Sequence, residues 1–176
     1  MQAAGGDRVG IYDLENEGGT PIYVHAKACV IDDVWALVGS DNLNRRSWTH
    51  DSEVSCSILD QQLDDREPLD PAGLGDGSRR FARDLRIQLW AEHLKRSPSD
   101  VALLDIKSAA DLWRSSASDL LHWKVAMSEE EEPPSRARAH EVESVSPRDR
   151  WWAELAYRLV FDPDGRPRDL RTRCDF

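Results

Sequence analysis

At 176 residues with 40% hydrophobic content, the chain can bury one core of moderate size and has the composition of a globular protein. Its formal net charge of -10 at pH 7 argues against broad, sequence-independent nucleic-acid binding, which needs a basic surface, and gives no general attraction to an anionic membrane. No apolar run is long enough to cross a bilayer, so no transmembrane segment is expected.

The first third reads as three or four strands, beginning with Val9 to Leu14. Residues 20 to 31 are rich in β-branched and aromatic side chains, stop at Asp32-Asp33 and resume at Val34 to Val38, a strand, turn, strand pattern. Alternation along the first of these strands places His25 and Lys27 on one face and Val24, Ala26 and Ala28 on the other. Gly39-Ser40-Asp41-Asn42 follows, where a hydroxyl, a side-chain amide and backbone donors could hold the non-bridging oxygens of a phosphate. These groups suit an anionic phosphoester: an imidazole to attack or move a proton, an ammonium to offset charge, neutral donors to orient it. Val54, Cys56 and Ile58 then alternate against Ser55, Ser57 and Leu59 as a further strand.

Asp60 to Ser78 is rich in Asp, Pro and Gly and reads as a surface connection. Phe81, Ala82, Leu85, Leu89 and Trp90 recur at helical spacing, and a second helix runs from about Ser108 to Trp123 with Leu112, Trp113, Ser116, Leu120 and Trp123 on one face. Residues 128 to 150 form a charged, proline-containing insert, expected to be flexible. The last stretch, Trp151 to Phe161, is apolar and closes at the turn Asp162-Pro163-Asp164-Gly165. Cys29, Cys56 and Cys174 lack metal-ligand spacing; two sit in strands, so buried free thiols in a reducing compartment are expected.

The string His25-x-Lys27, Asp32, Gly39-Ser40-x-Asn42 resembles the HKD motif of the phospholipase D superfamily. Leu43 to Ser47 with Asp51 to Val54 resembles the strand downstream of that motif, and Phe81 to Leu94 resembles the helix after the second motif in such enzymes. The resemblance implies an α/β fold, a mixed β-sheet sandwiched by helices as one half of a two-repeat architecture. It implies that two HKD motifs meet: one histidine attacks phosphorus to give a phosphohistidine, and the other protonates the leaving alcohol and then activates water or an acceptor alcohol. His25, Lys27 and Glu53 become the catalytic set, with Lys27, Ser40 and Asn42 on the phosphate and Glu53 accepting a hydrogen bond from His25. Asp32 and Gly39 become structural members of the motif, and no metal or cofactor is called for.

None of His50, His93, His122 and His140 is read as opening a second His-x-Lys string, so one half-site is expected to be missing. The resemblance then identifies the chain as the C-terminal half of a bacterial phospholipase D-type enzyme. Residues 1–127 would form the catalytic half-domain, 128–150 the insert, and 151–176 a segment packing on the domain. The expected substrate is a glycerophospholipid or another phosphodiester, hydrolysed or transferred to an alcohol. The partner would be the N-terminal HKD half or a second copy of the chain. A homodimeric phosphodiesterase or nuclease and a non-catalytic remnant are the alternatives, and the expected location is cytoplasmic or at the membrane periphery.

Other residues have plainer readings. His25 as a hydrogen-bonded core histidine is the competing view of the motif itself. Arg45 and Arg46 either line the phosphate site or pair with Asp41 and Asp51. Local positive charge for a phosphate would come from Lys27, Arg45, Arg46 and the helix bearing Arg79, Arg80, Arg83 and Arg86. His50 reads as exposed, Trp35 as core and His93 as structural.

Overall fold

A computed structural model describes residues 5–126, 132–141 and 145–173. In chain order the elements are β1 (Tyr12–Glu15), β2 (Pro21–Ile22), β3 (Lys27–Ile31), β4 (Trp35–Gly39), α1 (Arg45–Thr49), β5 (Ser55–Ile58), α2 (Arg80–His93), α3 (Ile106–Val125), β6 (Ala137–Ala139), α4 (Pro147–Ala156) and α5 (Arg168–Arg173). The α/β class expected from the sequence is present, with the β structure divided between two small antiparallel sheets of order β2-β1-β6 and β3-β4-β5. In the first sheet Leu14 faces Ile22 on one side and Ala137 on the other.

The β3-β4 connection shows why these residues turn where they do. Asp32 and Asp33 both have φ of 56°, and Val34 N donates to Ile31 O at 2.9 Å. Positive φ at both central residues gives the turn the twist that matches a hairpin, and aspartate tolerates it better than most side chains.

The chain divides into two compact units: one of Met1–His25, Cys29–Ala36 and Ser57–Glu141, the other of Ala26–Ala28, Leu37–Cys56 and Val142–Phe176. The first holds the hydrophobic core, built from Leu14, Ile87, Ala91, Leu94, Leu103, Ala109 and Ala137, with Trp90, Leu112 and Trp113 packed against it. Here α2 departs from expectation. Its buried positions are Ala82, Arg83, Arg86, Ile87 and Ala91, while Phe81 is exposed, so the inward face is rotated from the one traced through Phe81, Leu85 and Leu89. Two arginines turn inward because buried carboxylates await them. Arg86 Nε and Nη2 donate to Asp33 Oδ1 and Oδ2 at 2.6 and 2.7 Å, and Arg83 donates to the carbonyls of Arg66 and Leu104 at 2.8 and 2.6 Å. α3 follows its expected face, burying Ser116 and Leu120, and is capped by Asp105, whose carboxylate accepts from Ser108 N. Within the stretch 128–150, the described residues include β6, with Ala137 and Ser135 buried.

The second unit is held differently. α4 and the π-type turn Tyr157–Phe161 that continues it bury none of their residues, so the apolar run from Trp151 to Phe161 is not matched by burial. The tail is tied instead through Asp162, which is 6% exposed. Residues 43 to 47, expected in a strand, form α1 from Arg45 onward because Asn44 caps it: its side chain accepts from Ser47 N at 2.9 Å. Cys29 and Cys56 are free but exposed, because β3 and β5 present uncovered faces, in contrast to the expected burial; Cys174 lies outside the described residues. No helix among the described residues is long and apolar enough to cross a membrane.

Candidate active site

β4 ends at Gly39, where the chain passes close to β5. A Cβ on Gly39 would stand 2.7 Å from Ser55 Cα, closer than packing allows, so only glycine admits this approach. The next residue is fixed on both sides: Ser40 N donates to Val54 O at 2.9 Å, and Val54 N donates to Ser40 Oγ at 3.0 Å. Ser40 Oγ in turn donates to Glu53 Oε2 at 2.5 Å.

The other oxygen of Glu53 is taken from α1. Ser47 Oγ donates to Glu53 Oε1 at 2.6 Å and accepts from Asn42 N at 3.1 Å. Ser47 is buried, whereas Ser40 and Asn42 are exposed and Glu53 is half-buried. The structure thus brings Ser40, Asn42 and Glu53 into one cluster and adds Ser47. The hydroxyls of Ser40 and then Ser47, reinforced by the charge of Lys27, hold the Glu53 carboxyl below its usual range against the opposing pull of burial. Glu53 is therefore an anion at neutral pH. Its two hydroxyl donors are neutral, and the charge of Lys27 adds to their stabilisation of the anion. Such a group can orient and stabilise a cation beside it, while an exposed amide and hydroxyl can bind phosphate oxygens.

His25 lies in the irregular stretch between β2 and β3, two residues before Lys27 opens β3, and not within a strand. It is exposed, with its ring 5.9 Å from that of Tyr23. Exposure does not fit the core-histidine reading. Lys27 is partly buried at the head of β3. Asp32 sits at the hairpin turn and is exposed; its neighbour Asp33, which the sequence did not single out, is the buried acid of the pair.

The arginines expected to draw a phosphate are otherwise engaged. Arg83 and Arg86 are buried against Asp33 and Asp64, which withdraws them from solvent, and Arg46 pairs with Asp51 at 3.1 Å. Arg45 reaches Asp162, donating to its carbonyl at 2.6 Å. His50 is exposed beside Asp51, Trp35 is partly buried with its Nε1 donating to Ser57 Oγ at 2.5 Å, and His93 packs edge-on to Trp113. Contrary to the expectation that no other histidine opens a His-x-Lys string, His122-Trp123-Lys124 in α3 repeats that spacing, but it lacks any downstream Gly-Ser-x-Asn and has its lysine paired with Glu15 at 2.6 Å. It is helix surface, not a second half-site.

Residues 4–66, which include every member of the cluster, match the family described as cardiolipin synthase, PLD-like domain. Phospholipase D zeta 1 of Arabidopsis thaliana is 41% identical over 75 residues, covering 42% of this chain and 7% of that protein. Phospholipase D C of Dictyostelium discoideum is 39% identical over 106 residues, 54% of this chain and 6% of the relative. The match to phospholipase D alpha 1 of Arabidopsis thaliana is weaker but longer: 29% identity over 160 residues, 88% of this chain and 18% of that protein. These matches support the phospholipase D superfamily. The chain spans less than a fifth of the length of each of these relatives. They are eukaryotic, so a bacterial origin draws no support from them. No solved structure matches significantly.

Proposed function

We propose that this chain supplies one HKD half of a phospholipase D-type active site that cleaves or transfers the phosphodiester of a glycerophospholipid. The observation that carries the reading is the Glu53 carboxylate, held ionised by two serine hydroxyls in the same cluster as Asn42 and within reach of the charge of Lys27. In this scheme Lys27 and Asn42 bind the non-bridging phosphate oxygens and Ser40 supports that network. The imidazole of His25 either forms a bond to phosphorus as the bond to the leaving oxygen breaks, or delivers the proton that oxygen takes up. Glu53 accepts a hydrogen bond from His25, which sets the tautomer and stabilises the imidazolium. A histidine from a second HKD motif performs the complementary task. Water or an alcohol then attacks the phosphohistidine, releasing the product and restoring the imidazole.

One histidine cannot do both jobs across the same phosphorus, so the isolated monomer is expected to show little or no turnover. The test measures light scattering together with hydrolysis of phosphatidylcholine vesicles and of a simple phosphodiester. An inactive monomer supports the need for a second half, and a dimer whose activity disappears in His25→Ala supports self-complementation. Robust turnover by a strict monomer, or by the His25→Ala chain, overturns the scheme.

A further inference from the structure

α1 has five residues, far below the length at which a helix persists in water without tertiary support. Its first amides need acceptors from outside the helix. Asn44 supplies one to Ser47 N, and the other comes from 116 positions along the chain: Asp162 Oδ1 accepts from Arg46 N at 2.8 Å. The same residue engages Arg45 twice, with its carbonyl accepting from Nη2 at 2.6 Å and Oδ2 standing 3.7 Å from Nε. Three residues on, Gly165 N donates to Thr49 Oγ1 at 2.9 Å, at the far end of α1. Gly165 also lies so close to His50 that a Cβ there would meet its Cγ at 2.6 Å. The segment from Asp162 to Gly165 therefore grips α1 at both ends.

What α1 holds is Ser47, the residue that joins Glu53 to the backbone of Asn42. We propose that Asp162 is a positioning residue for this site: by capping α1 it fixes Ser47, and through Ser47 it sets the spacing of the carboxylate and the phosphate-binding amide. Its catalytic consequence rests on the proposed roles of Glu53 and Asn42; the mechanical part does not. Neither the HKD string nor the family match at residues 4–66 reaches Asp162.

The test uses the full chain and two substitutions. Asp162→Asn keeps an oxygen where Arg46 N donates; Asp162→Ala removes it. The carboxyl resonance of Glu53, followed by carbon NMR and assigned with Glu53→Gln, reports whether Ser47 still donates. Asp162→Ala should shift the Glu53 midpoint upward, by part of its displacement because Ser40 remains, while Asp162→Asn should leave it in place. In an assembly that turns over a phosphodiester, Asp162→Ala should lower kcat by about ten- to a hundredfold with little change in KM, the scale expected when a reacting group is misplaced from a distance. Asp162→Asn should restore it. If Asp162→Ala does not fold, Asp162→Glu, which keeps the charge but displaces the oxygen by a methylene, should give the same upward shift. An unmoved Glu53 midpoint in the folded variant overturns the proposal. A moved midpoint with unchanged turnover upholds the positioning and removes Glu53 from the chemistry instead.

Discussion

Two carboxylates on neighbouring stretches of this chain, Asp33 and Glu53, have opposite surroundings. Asp33 is fully buried, and both its oxygens are consumed by the guanidinium of Arg86, which also donates to Leu103 O at 2.8 Å and lies 5.0 Å from the Trp90 ring centre. Glu53 is half-exposed, and its two oxygens are met by hydroxyls. A carboxylate matched bidentately by a buried cation fastens structure; one held by two hydroxyls and drawn by the nearby charge of Lys27 belongs to a solvent-facing polar cluster. The first arrangement locks the β3-β4 turn to α2, and the second keeps an ionised carboxylate within the cluster of Ser40, Asn42 and Ser47.

The contrast is sharpest in stability. Asp33→Ala would leave Arg86 buried without its counter-ion, and breaking such a pair from one side costs about 3–5 kcal/mol. Urea denaturation of that variant should show a loss of this size, much of it recovered when Arg86→Met is added. A loss below about 1 kcal/mol would mean that Asp33 is no closed pair, and the comparison would fail.

Gly39→Ala comes next. Its Cβ would be driven against Ser55 Cα at 2.7 Å, a backbone atom that cannot rotate away, and overpacking of this kind costs about 1–3 kcal/mol. Because the strain falls where β4 delivers Ser40 to Glu53, the variant should also raise the Glu53 midpoint measured by NMR. An unstrained variant with an unmoved midpoint would show that the close approach is not what sets the cluster.

Glu53→Gln should have the smallest effect on stability. The folded-state carboxyl titrates below its unfolded value, so its favourable contribution is complete above the unfolded value of about 4.3 and is lost as pH falls through the lower folded one. Wild type and variant should therefore differ most in denaturation midpoint above about pH 4.3 and converge in acid. A constant difference across that range would show that the two serines do not favour the charged form. Turnover, by contrast, should suffer in Glu53→Gln, since the amide keeps the shape and removes the charge.

The sequence made the two long helices, the β3-β4 turn and the Ser40, Asn42 and Glu53 set legible, because each rests on local periodicity, turn chemistry or a short spaced string. What escaped it shares a different cause. Arg83 and Arg86 read as surface cations, since nothing nearby in sequence announces that Asp33 and Asp64 are buried opposite them. The exposed thiols escaped because strand alternation does not reveal whether either face of a sheet is covered. Ser47 lay inside the quoted string, yet its role depends on a helix capped by Asn44 that the strand reading had removed. Asp162 was visible only as a turn residue, and the contact that matters spans 116 positions.

That span has a temporal side. A ribosome adding about 5–20 residues per second would finish Arg46 roughly 6–23 seconds before Asp162. During that interval the first hydrogen-bonded turn of α1 lacks one of its two side-chain acceptors, although β3 and β4 precede it and β5 follows within a dozen residues. The nascent chain thus carries the motif before it carries the means to arrange it.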